Sequence, residues 1–191
     1  MARQEKRDDI ILAAMALIAE QGFHGAPMAL IAERAGVGIG TIYRYFENRD
    51  VLIRETYKAK EDRLKAFLLE NYPHDRPVRE CFFHIGGGVI HYFILHPVEF
   101  QYSEQFHNSP YGMEHRRNKI FASSEKPDIF NELYQRGIAQ QVIRNLPVVT
   151  FFNLMFAPIA WSLRDHVLGF VRLDASLSQK IIESCWDSVK I

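Results

Sequence analysis

Side chains that could bind a nucleic acid are concentrated in one short stretch of the sequence, residues 41–45. The Thr41 and Tyr45 hydroxyls can hydrogen-bond to phosphates, and Arg44 can bind either a phosphate or a guanine. Tyr43 can reach base edges or thymine methyl groups. Alternatively the tyrosines are core aromatics, but two tyrosines that are two residues apart cannot both face inward on one helix. This stretch therefore predicts a surface that contacts DNA.

No other group of reactive side chains has a spacing that suits catalysis or metal binding. His84 and His91 are seven residues apart, and His91 and His96 are five apart. On a helix, two imidazoles that bind one metal ion are four residues apart. Cys81 and Cys185 belong to no C-x-x-C motif and predict reduced, buried thiols rather than a zinc site or a disulfide framework. We expect no enzymatic activity, no metal ion and no cofactor.

The residues around the polar stretch fit a helix-turn-helix. This motif needs a small residue where two short helices touch, a residue that can adopt a positive φ angle in the turn, and an apolar anchor on the second helix. Ala32, Gly36 and Ile42 meet these needs in that order. The spacing predicts two short helices, over residues 28–35 and 39–46.

Apolar residues recur at helical spacing along nearly the whole chain, and no stretch alternates as a strand over more than a few residues. The predicted fold class is all-α. A first helix is expected to end at Gly22, and a long fourth helix to begin after the N-cap Asn48. After about residue 70, prolines separate roughly five further helices. The predicted division is a helix-turn-helix DNA-binding domain (1–47), a connecting helix (48–72) and a ligand-binding and dimerisation domain (73–191).

Charge and hydropathy exclude other classes of protein. Among the 191 residues, 23 Lys and Arg balance 23 Asp and Glu. Because the net charge is zero, DNA binding would need a local patch of basic side chains. Residues 81–98 and 146–163 carry no Asp, Glu, Lys or Arg. Their histidines, glycine triplet and proline are unfavourable in lipid, so we expect two buried core helices rather than membrane spans. A cytoplasmic location is expected.

Residues 39–46 (IGTIYRYF) and the polar turn 47–50 (ENRD) resemble the DNA-binding segment of the TetR family of transcriptional regulators. The resemblance extends over about residues 8–55. It implies a homodimer whose third helix enters the major groove of an operator. The residues predicted to contact DNA are Pro27, Met28, Ile39, Gly40, Thr41, Tyr43, Arg44, Tyr45 and Arg49.

Two departures from the family pattern reduce the number of expected contacts with DNA phosphates. The family usually has Thr or Ser at the start of the second helix, where this chain has Ala26-Pro27, and commonly has Ser-Lys or Ser-x where this chain has Gly38-Ile39. Arg49, at the start of the fourth helix, is expected to act as a phosphate clamp. Residues 1–65 carry 11 basic and 10 acidic side chains, so the salt dependence of DNA binding is expected to be shallow.

Residues 148–168 form a segment that is apolar on all sides of a helix. Such a helix must be buried on all sides, so one face is expected in its own subunit and another against a second copy. The last helix, predicted to start at a capping box of Ser176 and Gln179, completes the four-helix dimer interface that the resemblance implies; the alternative is a thick monomer core. The predicted interface residues are Phe152, Phe156, Ile159, Leu163, Ile181, Ile182, Cys185, Trp186 and Val189.

Three successive glycines, Gly86–Gly88, interrupt a helix that is rich in aromatic residues and histidine. Each costs about 0.5–1 kcal/mol of helix stability relative to alanine, so the triplet is expected to serve a spatial need. One interpretation is a pocket for an apolar or aromatic small molecule, and the other, of equal weight, is close helix packing. The predicted pocket residues are Phe83, His84, Gly87, His91, Tyr92, Phe100, Tyr102, Phe106 and Trp161.

Two functions of different classes remain open at this point. The first is a ligand-responsive, homodimeric repressor that an effector releases from an inverted-repeat operator. The alternative is a helical small-molecule carrier or enzyme with a vestigial helix-turn-helix. Sequence-specific binding of DNA separates the two.

Overall fold

The structure, a computed structural model, describes residues 2–121 and 128–191, and within these ranges it contains ten helices and no β-strand. The predicted all-α class is confirmed. The second part of the chain contains six helices rather than about five. The helices are α1 (Ala2–Gln21), α2 (Met28–Arg34), α3 (Ile39–Tyr45), α4 (Arg49–Leu69), α5 (Val78–Leu95), α6 (Pro97–His107), α7 (Pro110–Phe121), α8 (Ile129–Ala139), α9 (Val148–Val167) and α10 (Ala175–Val189).

The chain forms two compact units. Unit 1 consists of Met1–Arg63 and His96–Asn118, and unit 2 of Leu64–Leu95 and Lys119–Ile191. The units differ from the predicted linear division because α6 packs along α1, which brings α6 and α7 into the unit of the helix-turn-helix. The predicted domains, 1–47, 48–72 and 73–191, are continuous in sequence, whereas each of the two packed units combines two separate segments of the chain. The predicted domain boundaries stay a prediction.

The core of unit 1 joins α1, the helix-turn-helix, α4 and α6. Tyr102 of α6 is 0% exposed and donates its hydroxyl to the carbonyl of Ile53 at 3.0 Å. Phe106 stacks on Tyr57 with ring centroids 3.7 Å apart, and Phe100 is 4% exposed on the same helix. Tyr102 and Phe106 are packed in the core of the DNA-binding unit, and Phe100 is buried on the same helix. This packing does not favour an effector pocket at the three α6 side chains, and their role in a pocket stays a prediction.

The turns around the helix-turn-helix close as the sequence predicts. Gly22 (φ +69°) ends α1, and Gly36 (φ +65°) lies in the turn between α2 and α3. The Gly36 N–H donates to the Glu33 carbonyl at 3.0 Å, and the Val37 N–H donates to the Ala32 carbonyl at 2.9 Å. These two bonds form a Schellman motif, which requires a residue that tolerates positive φ.

The core of unit 2 is formed where α5 packs on α9 and α10. Phe82 of α5 is fully buried, with ring centroids 6.4 Å from Phe151 of α9 and 5.3 Å from Trp186 of α10. The predicted capping box at the start of α10 is wrong. The helix begins two residues earlier, and Asp174 is the N-cap, accepting a hydrogen bond from the Leu177 N–H at 2.8 Å.

The glycine triplet of α5 lies against neighbouring helices. A Cβ atom added at Gly86 would be 3.2 Å from Cγ2 of Ile182, and one added at Gly88 would be 2.5 Å from Cδ2 of Leu68. At Gly87 the nearest atom, Cδ1 of Ile182, would be at an ordinary 3.7 Å. Close helix packing is therefore the interpretation that the structure supports at Gly86 and Gly88.

This packing predicts opposite effects for two matched substitutions. Gly87→Ala is expected to raise the melting temperature by about 1–4 °C, because alanine adds about 0.5–1 kcal/mol of helix stability without a clash. Gly88→Ala is expected to lower it, since the added Cβ would lie 2.5 Å from Cδ2 of the buried Leu68, and that side chain would have to shift. Thermal unfolding of both variants measures the difference, and an equal rise in both would contradict close packing at Gly88.

Within the described residues, no single helix is long and apolar enough to cross a membrane. The helices α5 and α6 meet that criterion only when they are taken together as a bent pair.

Candidate nucleic-acid interface

The fold holds α3 in place from its inner side. Ile42 is 0% exposed and Phe46, which follows the helix, is 1% exposed. Gly38 is the N-cap in an extended conformation, and its carbonyl accepts the Thr41 N–H at 2.8 Å. Because Ile42 anchors one side of this short helix, the side chains on its opposite side are directed to the surface.

The outer side of α3 carries most of the predicted DNA contacts. Tyr43 is 51% exposed and Ile39 is 46% exposed. Arg44 is also exposed, whereas Thr41 and Tyr45 are half-buried. The prediction that at least one of the two tyrosines is exposed is confirmed. A Cβ at the neighbouring Gly40 would meet no atom within 4 Å, so the backbone is accessible there.

An open groove of about 560 Å³ runs between the start of α2 and α3. It brings together Pro27, Ile39, Tyr43 and Arg49, four of the residues predicted to contact DNA. Met28 also borders the groove but is 7% exposed, so it is chiefly a core residue of unit 1 and its prediction as a DNA contact is not supported. The complete lining is Phe23, His24, Pro27, Met28, Ala29, Ile39, Tyr43 and Arg49.

Arg49 binds backbone carbonyls of the loop between α1 and α2. Its Nη2 donates to the carbonyl of Phe23, and its Nε donates to the carbonyl of Ala26 at 3.4 Å. The guanidinium therefore ties the start of α4 to the loop that precedes α2. The sequence gives no signal for this role, because the acceptors are carbonyls more than 20 residues away. Its role as a phosphate clamp stays a prediction.

The hydrogen bonds of Arg49 predict a loss of stability when the guanidinium is removed. Arg49→Met is expected to lower the free energy of unfolding by about 1 kcal/mol or more, since hydrogen bonds from charged groups are lost. If these hydrogen bonds are the only role of Arg49, the dependence of DNA affinity on salt should stay unchanged. Lys58→Met, which removes one exposed charge from the same helix, is the control. The phosphate clamp would instead be established if stability were unchanged and the slope of log affinity against log salt concentration fell in magnitude by about 1 for each half-site.

The start of α4 is also fixed by its N-cap and by α7. The Asn48 side chain accepts the Val51 N–H at 3.0 Å, which confirms Asn48 as the N-cap. The Tyr111 hydroxyl donates to Asp50 at 2.6 Å. Burial and this hydrogen bond to Asp50 raise the pKa of Tyr111 above its ordinary value, so the hydroxyl stays protonated at neutral pH. The two contacts hold the polar turn after α3 in one conformation.

The predicted dimer-interface residues lie mainly inside the protomer. Six of them, Ile159, Leu163, Ile182, Cys185, Trp186 and Val189, are at most 8% exposed. Phe152 and Phe156 are half-buried beside Phe130 of α8. Burial raises the pKa of the Cys185 thiol to about 11, so this cysteine stays a neutral core residue. The most regular apolar stripe of each helix therefore faces the core of its own protomer, which does not favour a dimer interface at the six buried residues, and the interface itself stays a prediction.

Other apolar side chains of α9 and α10 are at least partly exposed, and the Arg164 guanidinium lies over one of them, Trp161. On α9, Trp161 is 62% exposed, Leu168, which follows the helix, is 57% exposed, and Ala157 is also exposed. On α10, Ile181 and Leu177 are half-buried. Of the predicted interface residues, Ile181 belongs to this group. We call these five residues the α9–α10 outer face.

The predicted pocket residues do not converge in the structure. Trp161 lies on the α9–α10 outer face, and His91 is exposed. His84 hydrogen-bonds through Nε2 to the Leu68 carbonyl at 2.9 Å, and the Arg79 guanidinium lies over the Phe83 ring. Tyr92 is 3% exposed, packed near Phe67. Among the described residues, no group of three or more His, Cys, Asp or Glu side chains could hold a metal ion.

Two family models match the chain. Residues 10–56 match the model for bacterial regulatory proteins of the tetR family, and residues 77–190 match the model for the tetracyclin repressor-like C-terminal domain. The second match alone covers more than half of the chain. The chain belongs to the TetR family. In this TetR-family protein, α3 occupies the position of the recognition helix in the helix-turn-helix motif.

Sequence similarity to individual relatives covers only part of the chain. The fatty acid metabolism regulator protein of Bacillus subtilis is 41% identical over 58 residues, 30% of each chain. The transcriptional repressor KstR of Mycolicibacterium smegmatis is 34% identical over 65 residues, 34% of this chain and 32% of the relative. The match thus spans about a third of the length of these relatives.

Solved structures resemble the whole chain. A TetR-family regulator of Marinobacter aquaeolei VT8 has a TM-score of 0.85 at 20% identity, covering 100% of this chain and 99% of that one. A TetR-family regulator of Haemophilus influenzae has a TM-score of 0.84 at 19% identity, with 100% of both chains covered. FadR of Bacillus subtilis in complex with stearoyl-CoA has a TM-score of 0.67 at 21% identity, covering 93% and 96%. These similarities establish the fold.

Proposed function

We propose that this TetR-family regulator is a homodimeric repressor that binds an inverted-repeat operator and is released from it by a hydrophobic small molecule. The observation that carries the proposal is the exposed outer side of α3, where Tyr43 and Arg44 are available to DNA while Ile42 anchors the helix. Exposed side chains on a recognition helix that is fixed from its inner side are what base-edge contacts need.

The α9–α10 outer face supports a homodimer. One helix-turn-helix supplies few base contacts, so specific operators are usually bound by two copies related by twofold symmetry. Trp161 and Ala157 lie one turn apart on α9 and are both exposed, and the exposed Leu168 follows the helix. The small Ala157 would let this surface pack closely against the same surface of a second copy. We propose this face, and not the predicted core stripe, as the dimer interface.

A hydrophobic effector is supported by the chemistry of unit 2. Three phenylalanine rings, Phe130, Phe152 and Phe156, contact one another and are only half-buried. Among proteins of similar fold, FadR of Bacillus subtilis is solved in complex with stearoyl-CoA. The helix α4 contributes residues to both units, so a ligand that shifts α4 would change the spacing of the two recognition helices.

Binding-site selection on random double-stranded DNA tests the proposal. The expected result is an inverted repeat whose half-site centres are separated by about one helical turn, ~34–36 Å, or a multiple of it. Selection of no sequence would favour the carrier or enzyme alternative. Stearoyl-CoA, with free CoA as the control, is the first effector to test, and release would appear as a ~5- to 150-fold loss of operator affinity.

A further inference from the structure

Two apolar side chains on α3 are exposed without a role in the fold. Ile39 and Tyr43 are four residues apart, so they lie on the same side of the helix, 46% and 51% exposed. A single exposed aliphatic residue is ordinary. Here, however, both side chains line the groove that Pro27 and Ala29 also line, so the recognition surface includes several apolar side chains beside His24 and Arg49.

Polar groups that could read bases are scarce at the start of α3. Ile39 is flanked by Gly38 and Gly40, which have no side chains, and Thr41 is half-buried. The first residues of a recognition helix are those that contact base edges in the major groove. The most exposed side chain among residues 38–41 is therefore the aliphatic group of Ile39.

An aliphatic side chain can distinguish bases in the major groove in only one favourable way. Guanine, adenine and cytosine present hydrogen-bonding groups there, whereas thymine also presents its 5-methyl group. Contact with a methyl group buries apolar surface, and contact with the other edges leaves polar groups without partners. We infer that Ile39 reads a thymine methyl group in each operator half-site. The inference rests on the proposed operator binding.

Uracil substitution tests this contact because it removes the methyl group and leaves the base pair intact. Each thymine of the selected operator is replaced in turn by uracil, symmetrically in both half-sites, and affinity is measured for the wild type and for Ile39→Ala. At one thymine position, removing the methyl group is expected to lower wild-type affinity. Each lost methyl contact corresponds to ~0.8 kcal/mol, which is about fourfold for one half-site and ~15-fold when both half-sites are substituted. The Ile39→Ala variant should bind the thymine and uracil operators equally at that position.

Leu12→Ala is the matched control. Leu12 is an aliphatic residue of unit 1 that is 53% exposed on α1, and its replacement should leave the full discrimination against uracil. Melting temperatures show that both variants are folded. Equal discrimination by the wild type and Ile39→Ala, on an operator that both bind specifically, would overturn the inference alone. Failure to select any operator would overturn it together with the proposed function.

Discussion

Replacing Tyr43 with alanine is expected to weaken operator binding by about 1–3 kcal/mol, a ~5- to 160-fold loss, while the protein stays folded. Tyr43 is 51% exposed and lies on the outer side of α3, opposite the buried anchor Ile42. The fold therefore gains little from its side chain, and a large effect on DNA affinity must come from lost contact with DNA. Fluorescence anisotropy on the selected operator measures the affinity, and thermal unfolding measures the stability.

A second variant separates the ring of Tyr43 from its hydroxyl. Tyr43→Phe should keep any contact with thymine methyl groups and lose any hydrogen bond to a base edge or phosphate. Its affinity should lie between those of the wild type and Tyr43→Ala. Unchanged operator affinity in Tyr43→Ala, with an intact dimer, would remove Tyr43 from the DNA contacts.

The helix-turn-helix was predictable from the sequence because its determinants are local. Ala32, Gly36 and Ile42 each meet a steric requirement of a motif that spans fewer than 20 residues. The structure places short helices at Met28–Arg34 and Ile39–Tyr45, each ending one residue before its predicted end. The positive φ of Gly36 is the feature that a sequence pattern identifies best, since few other residues adopt it without strain.

The pocket and the dimer face were not predictable in the same way, because they depend on contacts between distant segments. Tyr102 and Phe106 follow the glycine triplet in sequence, yet they pack against α4 in the core of unit 1. On α9, the sequence periodicity shows that apolar residues occur on more than one side of the helix. It does not show which of these sides packs into the core of its own protomer. Ile159 proved to be core and Trp161 exposed.

The correction on α9 changes which substitutions test the dimer. An aspartate at Trp186 would introduce a charge among core rings, and one at the half-buried Phe152 would lie against the buried Phe151 ring, so such variants would report on stability as well as on association. Suitable positions are exposed in the protomer. Trp161 and Ala157, on the α9–α10 outer face, satisfy this condition.

Trp161→Asp and Ala157→Arg are both expected to convert the dimer to a folded monomer and to abolish specific operator binding. A tryptophan at the centre of an interface contributes about 2 kcal/mol or more, and burying an unpaired charge there adds a further cost. A monomer reads one half-site only, so operator affinity should fall towards non-specific binding, a loss of about 10³-fold or more. Sedimentation equilibrium at micromolar concentration measures association, with Met113→Asp, 66% exposed on α7 of unit 1, as the charged control. A wild type that sediments as a monomer, or variants that remain dimeric, would show that the α9–α10 outer face is not the dimer interface.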